Sequence, residues 1–192
     1  LQGRHATLES LTRSHHDGLA EATADGELWK LWYTSVPRPE EMMTEIDRRL
    51  DLQVRGSMLP FAVLDANGVP AGMTTFMHID AVNKRVEIGS TWYAQRVQRT
   101  ALNTERKFML MTHAFETLGC IAVEFRTSFF NHKSRRAIER LGAKLDGILR
   151  NHQPAKVLEL SRTHRSENVW PTVANGWLSR VAERVRIVSK GA

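Results

Sequence analysis

The sequence predicts an α+β domain built on a mixed, mostly antiparallel sheet with helices on both faces. Three observations predict it. Strand-like and amphipathic runs alternate along the 192 residues. Three consecutive strand-like runs, LPFAVLD, GMTTFMHI and RVEIGSTWY, are separated only by short turns, and antiparallel pairing is the cheapest way to connect them. One long helical stretch then separates the strands near residues 90 and 121, and such a crossover implies that those two pair in parallel.

Each element has its own signal. Residues 5–11, HATLESL, alternate polar and apolar like a short strand. Residues 14–25 read as a helix stopped by Asp25-Gly26, and ELWKLWY as a further helical turn or two. PRPEEMMTEIDRRLDLQVRG starts a helix with Pro39, Glu40 and Glu41, carries Met43, Ile46, Leu50 and Val54 on one face, and ends at Gly56. Asn67-Gly68 marks the turn between the first two strands of the antiparallel group. Residues 103–118 carry Phe108, Met111, Phe115 and Leu118 at helical spacing and stop at Gly119. IAVEFRTS reads as a central strand, NHKSRRAIERLG as a short amphipathic helix stopped by Gly142, and AKLDGILRN and VLELSR as strands. Residues 169–187 read as a last helix with Pro171 in its first turn. No repeat or low-complexity block interrupts this order. Residues 1–192 are therefore expected to form a single domain, with a C-terminal helix near residues 170–188.

Composition narrows the function classes. The 27 Lys and Arg outweigh 21 Asp and Glu for a net charge of +6, which favours anionic partners without choosing among phosphate cofactors, acidic proteins and nucleic acid. Cys120 is the single cysteine, so an internal disulfide is excluded, and a reduced, cytoplasmic setting is expected. Nothing approaches ~18 consecutive apolar residues, so a membrane partner is not expected. The eight histidines show no ligand spacing beyond the adjacent His15 and His16, which point apart on a helix, so no metal is expected. His78 and His113 read as ordinary structural histidines. A nucleophile elbow of the form G-x-S-x-G is absent, which argues against a serine hydrolase. The basic, aromatic SFFNHKSRR suits RNA weakly, and a solvated helix face explains it more simply, so nucleic acid is not expected as a partner.

The run from Val86 to Gly142, with EIGSTWY, NTERKFMLMTHAFETLG and VEFRTSFFNHKSRRAIERLGA, resembles the GNAT acyl-CoA N-acetyltransferases, and within them the ribosomal-protein N-terminal acetyltransferase type. Asn131, Ser134, Ala137, Ile138, Leu141, Gly142 and Ala143 form its most specific pattern. Weaker similarity reaches from about Leu8 to Arg150. The resemblance implies a GNAT-like sheet in which the strands carrying Trp92 and Phe125 splay apart around the pantetheine arm of acetyl-CoA. It also implies that the pyrophosphate lies over the loop before the long helix, WYAQRVQRTALNTERK. Free amide N–H groups and the positive end of a helix dipole suit phosphate there. The usual small residues of that loop correspond to Arg99 and Ala101, so a long cation stands where a glycine is expected. Either Arg99 or Arg96 contacts phosphate while Thr100 and Asn103 cap the helix, or the arginine blocks the cradle.

Acetyl transfer to an amine needs a neutral nucleophile, a polarised thioester carbonyl and a proton for the departing thiolate. The strand period of two puts Glu87 on the more polar face of RVEIGSTWY, and the resemblance makes it the base; the alternative is a glutamate ion-paired with, for example, Arg126. Asn131 and Ser134 are suited to a helix start, and the resemblance adds a pantetheine contact for Asn131 and a proton-donor role for Ser134. The implied cofactor contacts are Trp92, Tyr93, Ala94, Gln98, Arg99, Thr100, Ala101, Asn103 and Asn131, with a strand bulge freeing a backbone donor near Trp92, Tyr93 or Ala94. Trp29, Trp32 and Tyr33 are the implied acceptor wall, or else core aromatics. The expected activity is direct transfer from acetyl-CoA to a primary amine, first a protein N-terminus, second a small amine or antibiotic. From a different class, the alternative is a non-catalytic domain that binds acyl-CoA or another anionic ligand. A homodimer is left open.

Overall fold

A computed structural model describes residues 1–149 and the backbone of residues 185–190. Seven strands, β1 (Ala6–Ser10), β2 (Met58–Asp65), β3 (Pro70–Asp80), β4 (Arg85–Tyr93), β5 (Ala122–Ser128), β6 (Lys144–Leu149) and β7 (Val185–Lys190), form one sheet in the order β1-β2-β3-β4-β5-β7-β6. The described helices are α1 (His16–Ala24), α2 (Met42–Val54), α3 (Ala101–Thr112) and α4 (His132–Glu139). Strands β1 to β4 pair antiparallel, whereas β4–β5, β5–β7 and β7–β6 pair in parallel. The α3 crossover thus joins parallel neighbours, as a helix between two strands of one sheet dictates.

Adjacent residues of a strand point to opposite faces, and β3 uses this to separate the helices. Thr75 Oγ1 accepts from Arg49 of α2, while its neighbour Thr74 accepts from Arg106 of α3, so α2 and α3 cover opposite faces. Ile46, Val63, Met73, Phe76, Leu110 and Val123 fill the layers between helices and sheet and are almost fully buried.

Two helices bury only part of the stripe their apolar residues suggest: Ile46, Leu50, Met111 and Phe115 lie in or against the core. On α2 the buried residues are Met42, Ile46 and Arg49, whereas Met43 and Val54 are exposed. On α3 they are Leu102, Arg106, Lys107, Leu110 and Met111; Phe108 and, beyond the helix, Leu118 face solvent. The cause is the same in both. Each helix sets cations on its sheet-facing side, where Arg49 and Arg106 find partners in the sheet and on their own helices, and part of the apolar count shifts to the flank. Helix α3 runs on through a π-helical turn, His113–Thr117, and the chain turns at Gly119 with φ +65°.

The helix expected over residues 169–187 is corrected at its end. Residues 185–187 belong to β7, which finds ladder partners along both edges, in β5 and β6, so that its backbone groups are met as a strand. The remainder of that helix, and the strand expected at VLELSR, lie outside the described residues.

Two carboxylates fasten α2 and β1 in place. Glu45 takes the Arg48 guanidinium at 2.7 Å and Arg49 at 2.6 Å. Glu105 of α3 accepts the backbone N–H groups of Arg4, His5 and Ala6 at the start of β1. Burial pushes the Glu45 carboxyl up, but the Arg48 hydrogen bond and the charge and hydrogen bond of Arg49 outweigh it and hold the carboxyl below its ordinary 4.5. A carboxyl depressed in the folded state stabilises fully above its unfolded pKa, and that contribution disappears as pH falls through the folded value. The melting temperature is therefore expected to drop as pH is lowered from about 5 toward 3, and Glu45→Gln to flatten that drop; parallel curves for the two proteins would exclude Glu45 as a source of acid lability.

Candidate active site

β4 and β5 share three ladder positions, Arg85↔Ala122, Val86↔Val123 and Glu87↔Glu124. Beyond Glu87 they part. β4 continues to Tyr93 paired with β3, and β5 to Ser128 paired with β7, so their facing edges leave backbone groups without a ladder. A cleft of about 920 Å³ opens there, lined by residues 88–93 of β4 and 125–128 of β5.

A bulge in β4 accompanies the separation. Met73 pairs with Trp92 and Thr75 with Gly89, so Ser90 and Thr91 together oppose Thr74. Ser90 takes a left-handed φ of +47°. Its carbonyl accepts from Arg49 Nη2 at 3.0 Å, and the same guanidinium reaches Thr75 at 3.3 Å. Opposite the bulge, Gly72 admits no side chain, because a Cβ there would lie 2.1 Å from the Trp92 carbonyl oxygen. The bulge thus sits two residues earlier than the Trp92–Ala94 region where the sequence suggested a free donor. Ala94 is excluded from that part, since its N–H donates to the Ala71 carbonyl at 2.8 Å.

The tip of α3 closes the far end of the cleft. Thr100 caps it, its hydroxyl accepting from Leu102 N–H at 3.3 Å and donating to the Val97 carbonyl at 2.8 Å. Asn103 does not cap; its carbonyl accepts from Arg106 at 3.2 Å. Gln98 donates to the Tyr93 carbonyl at 3.0 Å and so ties the loop to the end of β4. Arg96 points elsewhere, bonded to Asp65 and the Pro70 carbonyl, whereas Arg99 is exposed and lines the cleft. Arg99 also has φ +63°, the left-handed conformation that explains why glycine suits this position.

At the closed end lies an ionic array. Glu87 is 4% exposed, with Oε2 at 2.8 Å from His78 Nδ1 and 3.1 Å from Arg126 Nε. Arg126 in turn meets Glu124, which also bonds Arg85. Glu87 Oε1 lies beside Gly89, where an added Cβ would stand 2.9 Å from it. The pairing with Arg126 considered from the sequence is therefore present, and Glu87 nonetheless lines the cleft. His78 is not an ordinary structural histidine: its side chain is 58% exposed and its backbone is left-handed at φ +48°.

Across the cleft, the segment after α1 contributes Leu28, Leu31, Trp32 and Tyr33, and the Trp32 ring sits 5.0 Å from that of Phe130, which precedes α4. Asn131 caps α4 by accepting from Ser134 N–H at 3.0 Å, and both residues line the cleft. The expected site residues Glu87, Ser134, Trp92, Tyr93, Gln98, Arg99, Thr100, Asn103, Asn131, Trp32 and Tyr33 are thus brought together, whereas Ala94, Ala101 and Trp29 are not among the lining residues. The sequence reading missed Arg49, Lys107, Phe130 and His78 as parts of the site. A charge on a helix stripe otherwise buried was the available signal for the first two.

The lining suits an acyl-CoA. The Trp92 Nε1 is buried without a hydrogen-bond partner among the described residues, and the Tyr93 hydroxyl is buried beside the Arg106 guanidinium. Burial pushes the Tyr93 phenol up, so it remains a donor. These groups, the open strand edges and the helix tip would hold a chain of amides ending in phosphates. Among the described residues no group of three His, Cys, Asp or Glu could hold a metal, and no helix is long and apolar enough to cross a membrane.

Arg99 in its left-handed backbone costs about 1–2 kcal/mol relative to glycine, partly offset by glycine's larger chain entropy. Arg99→Gly is expected to raise the unfolding free energy by about 1 kcal/mol in urea titrations. A lower midpoint would mean that the guanidinium makes contacts worth more than the strain.

The family model for the GNAT acetyltransferase domain matches residues 5–144. A curated relative named "Putative ribosomal N-acetyltransferase YdaF", from Bacillus subtilis (strain 168), is 32% identical over 96 residues, which are 45% of this chain and 52% of the relative; the chain thus spans about half of that protein's length. A GCN5-related N-acetyltransferase from Brucella melitensis has a similar structure, with a TM-score of 0.68, 33% identity, and coverage of 81% of this chain and 72% of the other. The ribosomal L7/L12 α-N-protein acetyltransferase RimL, solved in complex with coenzyme A, shares the fold at a TM-score of 0.62 and 20% identity, over 72% of this chain and 79% of that one. With the separated β4 and β5, the β4 bulge and the capped α3 tip, these matches establish that the chain belongs to the GNAT acetyltransferase family.

Proposed function

We propose that the protein transfers an acetyl group from acetyl-CoA directly to a primary amine, with a protein N-terminus as the acceptor. The observation that carries this reading is the parting of β4 and β5 after Glu87, which leaves room and unmet backbone groups for an extended amide-containing arm. The acetyl-CoA thioester supplies the activated acyl group. The N–H groups at the start of α3, with Arg99, Lys133 and Arg136 on the cleft lining, suit the phosphates. The names of the relatives support a ribosomal-protein N-terminus over a small amine.

The chain's own groups divide the work. Glu87 offers Oε1 toward the acceptor, while Oε2 is held by His78 and Arg126. The acceptor's proton passes to Glu87 and, through its exposed partner His78, to solvent. The bulge at Ser90 and Thr91 presents backbone donors to the thioester carbonyl. Ser134, on the first turn of α4, supplies the proton for the departing thiolate. Cys120 is buried and takes no part in a covalent intermediate, so amine and thioester react directly.

In a thiol-release assay over a panel of amines and N-terminal peptides, Glu87→Gln is expected to lower kcat by about 100-fold across pH 6 to 9 with little change in acetyl-CoA affinity. An unchanged rate and pH profile would remove Glu87 from the mechanism. Ser134→Ala is expected to lower kcat alone; lost cofactor affinity instead would make Ser134 a binding residue. A second reading, a domain that binds acyl-CoA without turnover, is favoured by the arginine at position 99 and predicts bound ligand with no thiol release from any amine.

A further inference from the structure

Lys107 has no part in the chemistry above, yet its side chain stands inside the cleft. It is 6% exposed on α3, and its Nζ lies 5.6 Å from the centre of the Phe125 ring. Phe125 is the first β5 residue beyond the last ladder position shared with β4, so the amine stands near the closed end of the wedge. Its surroundings are unusual for a lysine. Among the described residues no carboxylate pairs with it, and the charges that bear on it are those of Arg106, beside it on α3, and Arg140, beyond α4. Arg106 itself donates to Thr74 and Asn103 and lies over the Tyr93 ring, and Arg140 donates to Thr104. Burial, and after it these two like charges, hold the Lys107 ammonium well below the ordinary lysine range. A buried amine whose charged form is disfavoured is more readily a nucleophile than a solvated ammonium.

We infer that Lys107 Nζ is an internal acyl acceptor, and that acetyl-CoA held in the wedge without an amine substrate acetylates it. This rests on the reading that the wedge binds the acetyl thioester. The nitrogen lone pair attacks the thioester carbonyl carbon, the carbon–sulfur bond breaks, and the coenzyme A thiolate leaves with the proton released from nitrogen. The products are Nζ-acetyl-Lys107 and free coenzyme A thiol, with no oxidant or further reactant. An amide does not pass its acetyl group on to amines, so the product is a terminal state and not an intermediate. Its acetyl group occupies space in the wedge, and prolonged exposure to acetyl-CoA without acceptor lowers later turnover. What raises the rate at this lysine over others is confinement, since amine and thioester share one cleft.

The test incubates the full chain with acetyl-CoA and no amine, and maps acetylation by peptide mass spectrometry over time. Acetylation of Lys107 is expected to saturate with acetyl-CoA, to be suppressed by excess coenzyme A, and to outpace the exposed Lys30, Lys84 and Lys144, outside the cleft, by about tenfold or more. Lys107→Arg and Lys107→Met, both checked by thermal unfolding, are expected to remove that saturable phase and leave the slow background. If acetyl-CoA stabilises the protein or amines are turned over while Lys107 stays unmodified, the inference is overturned and the transferase reading stands. If acetyl-CoA neither stabilises the protein nor reacts with any amine, both are overturned.

Discussion

The Arg49 guanidinium holds the Ser90 carbonyl at 3.0 Å, and the extra residue it secures in β4 is the feature on which the site depends. A bulge bends its strand and increases the local twist. Here the bent strand keeps β3 as a partner and leaves β5, so a sheet that would otherwise close over its centre opens there. The guanidinium cannot move to solvent, because it is 1% exposed and paired with Glu45 within its own helix. Removing Glu45 would strand the Arg49 charge at low dielectric, which costs about 3–5 kcal/mol when one member of a buried pair is lost. The site is thus held open by a helix on one face of the sheet, while the cation-bearing α3 covers the other.

This arrangement explains why charges stand where a core would be expected. Arg49, Arg106 and Lys107 occupy sheet-facing positions on α2 and α3, at the two sides of one opening. Arg49 donates to Thr75 and Arg106 to Thr74, so adjacent β3 threonines anchor both helices. Lys107 has no such anchor, and its position near the closed end gives it a chemical role in place of a structural one. On the opposite side of the strands, Glu87 is paired with His78 and Arg126, so the two faces of the wedge differ in charge.

Much of this was legible in the residues. The order of β1 to β6 followed from alternation, turn signals and the crossover, because these patterns report burial that the structure confirms. Thr100 and Asn131 were legible as caps because a short oxygen-bearing side chain before a helix has few other uses. The buried faces of α2 and α3 were legible only in part: Ile46, Leu50, Met111 and Phe115 lie in or against the core, whereas Met43, Val54, Phe108 and Leu118 are exposed and arginine and lysine complete the stripe. Apolar periodicity cannot register a buried cation whose partner is a carbonyl forty residues away, as Ser90 is for Arg49. The insertion of β7 between β5 and β6 was equally hidden, since a strand's neighbours are chosen by the sheet and not by its own residues. Arg99 was legible as an anomaly, and its φ of +63° gives the physical reason glycine was expected there.

The most direct measurement of the central claim is a crystal structure of the full chain grown with coenzyme A. The account requires the diphosphate at the N–H groups that open α3, beside Thr100, and the pantetheine arm between residues 88–93 and 125–128, with its sulfur toward the closed end where Glu87 stands. Density showing β4 and β5 joined beyond Glu87, with the Arg99 guanidinium filling the place of the diphosphate, would contradict it.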